Sequence, residues 1–409
     1  MGVEAFYCSK RMRGLSYAEG LRINHSQTIL KPNTNNSLLG YTCNREKRKY
    51  NKPYERKESL MKKLMKALLC ALMALILTCS AVAFAENEVE ITNSYDNTAE
   101  LLESFPVINP TPVEPGIGEA IQNRLLSGFE NWNRGFDAWK AWGDILYTED
   151  SIYNVHGARL TLAEYQAAMN VTLSQVDIQM GNFNNMIICD DWCAIRYDIT
   201  TIVGENAIPG TVMEFVKFAD YGEALGTRVV EGWGGTRDEG YDGMAMFRGE
   251  ENTAIQQEQF DALIAWEIPD TDDLAQKYPV LHPTTDNSEW ADAIRAALLQ
   301  DFDAWNQGYD VWAENADSFY SADALCAGAD AVQLSVDDYK AAIKARFETE
   351  TTTRKYFDSM LISGEWAATH YRTVTIDNET GETTCADRMQ FFRFAMTDDG
   401  IKVTESWLM

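Results

Sequence analysis

The sequence predicts an α+β protein built twice from one domain. Three observations carry that expectation. A segment repeats itself at a nearly fixed offset. Each copy places helical periodicity first and strand-like runs after it. Apolar residues make up 45% of the chain and aromatics 11%, enough for two cores and too many for a disordered acidic chain.

The repeat is read residue by residue. Residues 121–139, IQNRLLSGFENWNRGFDAW, match 294–312, IRAALLQDFDAWNQGYDVW. Ile121, Leu125, Phe129, Trp132, Gly135, Asp137 and Trp139 correspond to Ile294, Leu298, Phe302, Trp305, Gly308, Asp310 and Trp312. The register continues through Tyr165 and Tyr339, Trp192 and Trp366, and Tyr197 and Tyr371. It closes on Val229, Glu231 and Trp233 against Val403, Glu405 and Trp407. The two copies are placed at 116–235 and 289–409, separated by a linker at 236–288 that holds Pro269, Pro279 and Pro283.

Within a copy, Ile121, Leu125, Phe129 and Trp132 recur at helical spacing on one face. Gly135 suits the end of that helix, and Asp137 is expected to cap the next, which runs through Trp139 and Trp142 to about Leu146. Thr161-Leu-Ala-Glu164 is a capping box that opens a third helix, with Ser335-Val-Asp-Asp338 as its counterpart. Strands are expected at 186–202, broken by a turn at Asp190-Asp191, then at 210–219 and 227–233. The second copy gives 358–376, 386–396 and 400–408.

Charge divides the chain. Residues 1–60 are basic, with 12 Lys+Arg against 5 Asp+Glu; residues 86–409 carry 20 against 57, a balance of -37. That excess argues against nucleic-acid binding and against adhesion to anionic lipid. Residues 61–85, MKKLMKALLCALMALILTCSAVAFA, have a lysine-bearing start, an apolar run and Ala83-Phe84-Ala85 before Glu86, the pattern of a cleaved signal peptide. The protein is therefore expected to be secreted or held in the cell envelope, with no membrane span after cleavage. Residues 1–60 are read as the product of a misplaced start codon, without a fold. Residues 86–115 are read as an acidic lead-in outside the core. Cys189, Cys193, Cys326 and Cys385 remain past the signal segment, and a bridge between Cys189 and Cys193 across the hairpin turn is expected of an exported protein.

The order of motifs resembles the SnoaL-like branch of the NTF2-like superfamily. Gly135-Phe-Asp137-Ala-Trp139, Tyr147-Thr-Glu-Asp150, Tyr153, Arg159-Leu-Thr-Leu-Ala-Glu-Tyr165 and Val229-Val-Glu231-Gly-Trp233 carry the likeness, with matching runs in the second copy. The resemblance implies cystatin-like cone domains, each a curved antiparallel sheet packed on three helices around a conical pocket. It implies a small apolar or amphipathic ligand. Members include isomerases, cyclases, hydrolases and non-catalytic modules, so the fold does not choose the function.

Strand alternation sorts the polar candidates. Arg196 and Asp198 share a face, as do His370 and Arg372 at the same places in the second copy. Glu231 shares a face with Trp233, and Glu405 with Trp407. Arg196-Tyr-Asp198 resembles the Arg-x-Asp of limonene-type epoxide hydrolases, and Tyr153 falls where those enzymes hold water. Their second carboxylate, however, falls at Gly235, and their asparagine at Val155. Asp198, His156 and Glu231 are the candidates for acid–base chemistry. Tyr153, Arg196, Trp233, His370, Arg372, Glu405 and Trp407 are the candidates for ligand contact. No cofactor and no metal are expected: the three histidines beyond the signal segment lie far apart and no Cys-x-x-Cys occurs. The leading expectation is a binding protein without turnover. The alternatives are an acid–base enzyme with its site in the first copy, and an interaction module whose two domains pair within the chain.

Overall fold

The computed structural model describes residues 97–155, 158–222, 225–238, 250–327 and 332–409. The expected signal segment and extension, residues 1–85, lie outside them, as does His156. The element order is α1 Thr98–Ser104, β1 Val107–Pro110, α2 Ile117–Trp132, α3 Phe136–Leu146, β2 Tyr147–Val155, β3 Ala158–Thr161, α4 Leu162–Gln175, β4 Asp177–Cys189, β5 Trp192–Val203, β6 Asn206–Asp220 and β7 Thr227–Asp238. After α5, Glu250–Ala265, it begins again. The second series is α6 Leu274–Lys277, β8 Val280–Pro283, α7 Ala291–Asn306, α8 Tyr309–Phe319, β9 Tyr320–Ala327, β10 Gln333–Ser335, α9 Val336–Thr349, β11 Glu350–Ser363, β12 Trp366–Asp377, β13 Thr383–Thr397 and β14 Gly400–Leu408.

Each half holds one seven-stranded sheet. Their orders, β1-β4-β5-β6-β7-β2-β3 and β8-β11-β12-β13-β14-β9-β10, are the same order written for each copy. Helices in the first half are fixed by their apolar stripe: Ile121, Leu125 and Phe129 of α2 are all buried, and Trp139 of α3 is fully enclosed. The Thr161 box is present, with Thr161 Oγ1 accepting from Glu164 N at 3.3 Å and Glu164 Oε2 from Thr161 N at 2.8 Å. Ser335 Oγ likewise accepts from Asp338 N at 3.2 Å.

Asp137 does not cap α3. Gly135 is the N-cap, at φ 86°, and Gly308 takes the same place at φ 103°. That left-handed backbone is cheap for glycine, and Asp137 sits in the first turn, where a carboxylate suits the helix dipole.

The repeat starts earlier than its helical motif suggests. The stretch expected as a lead-in supplies β1, which pairs parallel with β4. The linker supplies β8, which pairs in the same way with β11. Thr111 and Thr284 donate from their hydroxyls to the carbonyls of Met186 and Met360. Phe105 meets Phe129 edge-on just as Tyr278 meets Phe302. The signal was legible: Val107-x-x-Pro110-Thr111 and Val280-x-x-Pro283-Thr284 obey the same offset. β4 also begins at Asp177, nine residues before the expected strand, because its polar first half pairs with β5 although it buries little.

The sheets' two faces have different neighbours. One face of each sheet packs on its own helices. The other faces meet across a shared apolar cluster. Ile187, Cys189, Trp192, Ala194, Met213, Phe215 and Trp233 come from the first half, and Leu361, Trp366, Ala368, Met389 and Phe391 from the second. The contacts are reciprocal. The Arg196 guanidinium lies 3.9 Å from the centre of the Trp407 ring, and His370, its counterpart, lies 5.5 Å from Trp233, the counterpart of Trp407. Thr285 N donates to Asp190 of the opposing hairpin turn, and Ser363 Oγ donates to the Pro112 carbonyl. Such mutual pairing is what a two-fold related interface produces, here within one chain.

The expected Cys189–Cys193 bridge is absent. Both thiols are free, as are Cys326 and Cys385. Cys189 pairs directly with Trp192 across a two-residue turn, which places Cys193 on the opposite face of the hairpin. Cys189 packs between the halves and Cys193 in the first core, so their Cβ vectors point apart.

Candidate functional site

The interior of the first half contains a hollow between helices and sheet. Leu125, Phe129 and Trp132 on α2, Trp142 and Leu146 on α3, and Tyr165 on α4 close one side. Phe183, Ile195, Tyr197, Glu214, Val216 and Val229 close the sheet side, with Tyr147 at the start of β2. It measures about 420 Å³ with its mouth included, of which the centre of a water molecule reaches about 20 Å³. That interior space suits about one water, so a ligand must be small or must enter by way of the mouth.

Glu214 is the one ionisable carboxyl in this lining. β6 puts it there by alternation: Val212, Glu214 and Val216 face inward, while Met213 and Phe215 face the other half. The Tyr197 hydroxyl donates to Glu214 Oε1 at 2.8 Å, and Tyr153 hydrogen-bonds the same carboxyl. Tyr153 stacks on Tyr165 at 4.4 Å between ring centres, and Tyr147 meets both edge-on. Close approach explains two glycines here. A Cβ on Gly232 or Gly234 would come within 2.5 and 2.8 Å of the Tyr153 side chain.

Burial raises the Glu214 pKa above the usual carboxylate range, and the two tyrosine hydrogen bonds pull it partway back. Burial likewise lifts the phenols of Tyr147, Tyr153, Tyr165 and Tyr197, so all four stay protonated as donors. No cationic side chain among the described residues forms an ion pair with Glu214.

The second half places a charged pair among the matching rings. Strand register makes Arg354 the counterpart of Met180 and Gln390 the counterpart of Glu214. Helix register makes Asp301 the counterpart of Gly128. Arg354 Nη1 donates to Asp301 Oδ2 at 2.8 Å, and both residues are buried. Its guanidinium lies 4.2 Å from the centre of the Trp305 ring, and 5.5 Å from those of Phe302 and Tyr371. Those three rings correspond to Trp132, Phe129 and Tyr197 of the first half's cavity.

The residues expected to carry chemistry do not gather there. Asp198 lies on the opposite sheet face from Tyr197 and accepts a hydrogen bond from Asn184 Nδ2 at 2.8 Å. Glu231 pairs with Arg159 at 3.4 Å, outside the cavity. Arg196, Trp233, His370 and Trp407 lie between the halves. Arg196 Nε donates to Asn185 Oδ1, and burial lowers the Arg196 pKa to about 10. Arg372 pairs with Asp358 and Asp387, and Glu405 with Arg393 at 3.0 Å. Of the expected ligand contacts, Tyr153 reaches the cavity carboxyl. The reason is parity. Motif matching selected one face of β5, and the interior lies on the other. Glu214 was legible as a lone acid between two valines on one strand face, in Val212-Met-Glu214-Phe-Val216.

Among the described residues, folding brings one set of metal-ligand types together. Asp358, His370 and Asp387 hold ligand atoms within 4.8 Å of one another. Arg372 bonds both carboxylates, and His370 Nε2 lies 3.0 Å from Asp387 Oδ1, so the cluster already contains its counter-charge. Histidine spacing in the sequence gave no warning of it, because β11, β12 and β13 supply one residue each.

No family model and no curated protein matches the sequence. Solved structures do show a likeness. A ketosteroid isomerase-like protein from Erwinia carotovora atroseptica is 18% identical and covers 29% of this chain and 95% of its own, with a TM-score of 0.25. A protein described as a SnoaL-like polyketide cyclase from Mesorhizobium loti is 16% identical over 28% of this chain and 97% of its own, with a TM-score of 0.23. A domain with a cystatin-like fold from Nostoc punctiforme is 18% identical over 29% of this chain and 75% of its own, with a TM-score of 0.24. Fold and site together define an α+β protein of two like halves, one with an acid-bearing cavity and one with a buried Arg354–Asp301 pair among the matching rings.

Proposed function

We propose that the chain is an exported binding protein that takes a small apolar or amphipathic molecule into its first half, without turnover. The second half is its fixed structural partner. The observation that carries this reading is the contrast at matched positions. Glu214 borders a hollow in the first half, where the second half has the neutral Gln390 and a buried Arg354–Asp301 pair among the matching rings. Apolar walls with a few convergent polar groups are the usual makeup of a small-ligand site. The residues singled out for acid–base chemistry, Asp198 and Glu231, do not border the hollow, which favours binding over turnover.

Titration of the full chain with small cyclic ketones, phenols and amines, followed by tryptophan fluorescence, tests the binding reading. Trp132 and Trp142 border the hollow and report on its occupant. Binding is expected in the wild type and lost in Val216→Phe, with circular dichroism unchanged. Binding that survives Val216→Phe places the ligand elsewhere. An acid–base enzyme is the second reading, and Glu214 is the group it would use. Turnover of an epoxide or ketosteroid panel, abolished by Glu214→Gln, establishes that reading instead. Export is checked by intact mass of protein secreted from a bacterial host: the mature chain is expected to begin at Glu86.

A further inference from the structure

We propose that the occupant of the first half's cavity is a small organic cation, an ammonium or guanidinium group, held by Glu214 inside a box of aromatic rings. The inference rests on the cavity reading above and names the chemistry of its ligand.

Three observations on the molecule converge. First, the lining is dominated by rings: Phe129, Trp132, Trp142, Tyr147, Tyr165, Phe183 and Tyr197. Aromatic faces attract cations, most strongly where water is excluded. Second, Glu214 lies among them with two tyrosine hydroxyls and no ion-pair partner among the described residues. A carboxylate enclosed without counter-charge is costly, and a bound cation removes that cost. Third, the chain holds a worked comparison. In the second half the matching box of Phe302, Trp305 and Tyr371 contains the guanidinium of Arg354, and a carboxylate, Asp301, pairs with it. That half needs no external cation, and its counterpart of Glu214 is the neutral Gln390. In the first half Met180 replaces the arginine, Gly128 replaces the aspartate, and a carboxyl appears on β6. One cation and one carboxylate complete the box in the second half. The first half has the carboxylate, and among the described residues no side chain supplies it with a cation.

The test uses the full chain and pairs of probes matched in shape. Calorimetry compares methylammonium with methanol, and guanidinium with urea at sub-denaturing concentration. The cations are expected to bind at least tenfold more tightly than their neutral partners. That preference is expected to vanish in Glu214→Gln. Met180→Arg, which installs the second half's internal cation, is expected to abolish cation binding, and it decides the matter should Glu214→Gln fail to fold. Neutral probes that bind as tightly as the cations overturn the cation assignment while leaving the cavity reading intact. Cation binding that survives both substitutions overturns it too, by placing the site elsewhere. If no probe of either kind binds, the cavity reading falls together with the cation assignment.

Discussion

Glu214 shows how one side chain changes meaning with its enclosure. On an exposed strand it would be an ordinary solvated acid. Between Val212 and Val216, under Tyr197 and Tyr153, its proton is held more tightly in the folded chain than in the unfolded one. A carboxyl with a raised folded pKa contributes stability that is fully present below the unfolded value, near 4.5, and is lost as pH rises through the folded value. Glu214→Gln should therefore gain stability relative to the wild type as pH rises from 4 to 8. Urea denaturation at both pH values measures this. A gap between the two proteins that does not change with pH would show that folding leaves the carboxyl as free to ionise as in the unfolded chain.

Two elements make predictions of their own. β11 carries Arg354 and α7 carries Asp301, and the two form a buried ion pair in the second half. Arg354→Met leaves Asp301 enclosed without counter-charge and should cost about 3–5 kcal/mol in chemical denaturation. Adding Asp301→Asn removes the stranded charge and should recover most of that loss; a double variant no better than the single one would show that packing, not charge, sets the cost. The β4–β5 hairpin makes the second. Cys189 and Cys193 face opposite sides, and burial raises both thiols, Cys189 to about 12, so neither is reactive while the hairpin is folded. Both should be alkylated on unfolding without any reductant. Labelling that requires prior reduction would mean the hairpin has opened to form a bridge.

At the scale of the whole molecule, the halves are joined by one apolar interface with aromatic pairs at matched places. Trp192 stacks on Trp233 at 5.6 Å and Trp366 on Trp407 at 5.8 Å. Each pair ends on a group from the other half, His370 over Trp233 and Arg196 over Trp407. Because the interface is continuous with both sheets, residues 97–409 should unfold in one calorimetric transition. Trp366→Ala empties a buried site and should cost about 3–5 kcal/mol. The same substitution should split the transition in two, since it weakens the seam more than either core. Two transitions already present in the wild type would show that the halves fold independently.

The sequence by itself determined the architecture. Period and offset in Ile121, Leu125, Phe129 and Trp132 against Ile294, Leu298, Phe302 and Trp305 fix two copies of one α+β unit, because apolar periodicity is a local property of the chain. The Thr161 and Ser335 caps are local for the same reason and are found where they were expected. The site was not local. Alternation told that Arg196 and Asp198 share a face, but only packing decided which face of β5 meets helices and which meets the other half. The inner face received Tyr197 and Glu214; the outer face received Arg196, which packs on Trp407. A strand has two equivalent faces until something covers each of them. Which face becomes a pocket and which a seam depends on contacts between residues far apart in sequence.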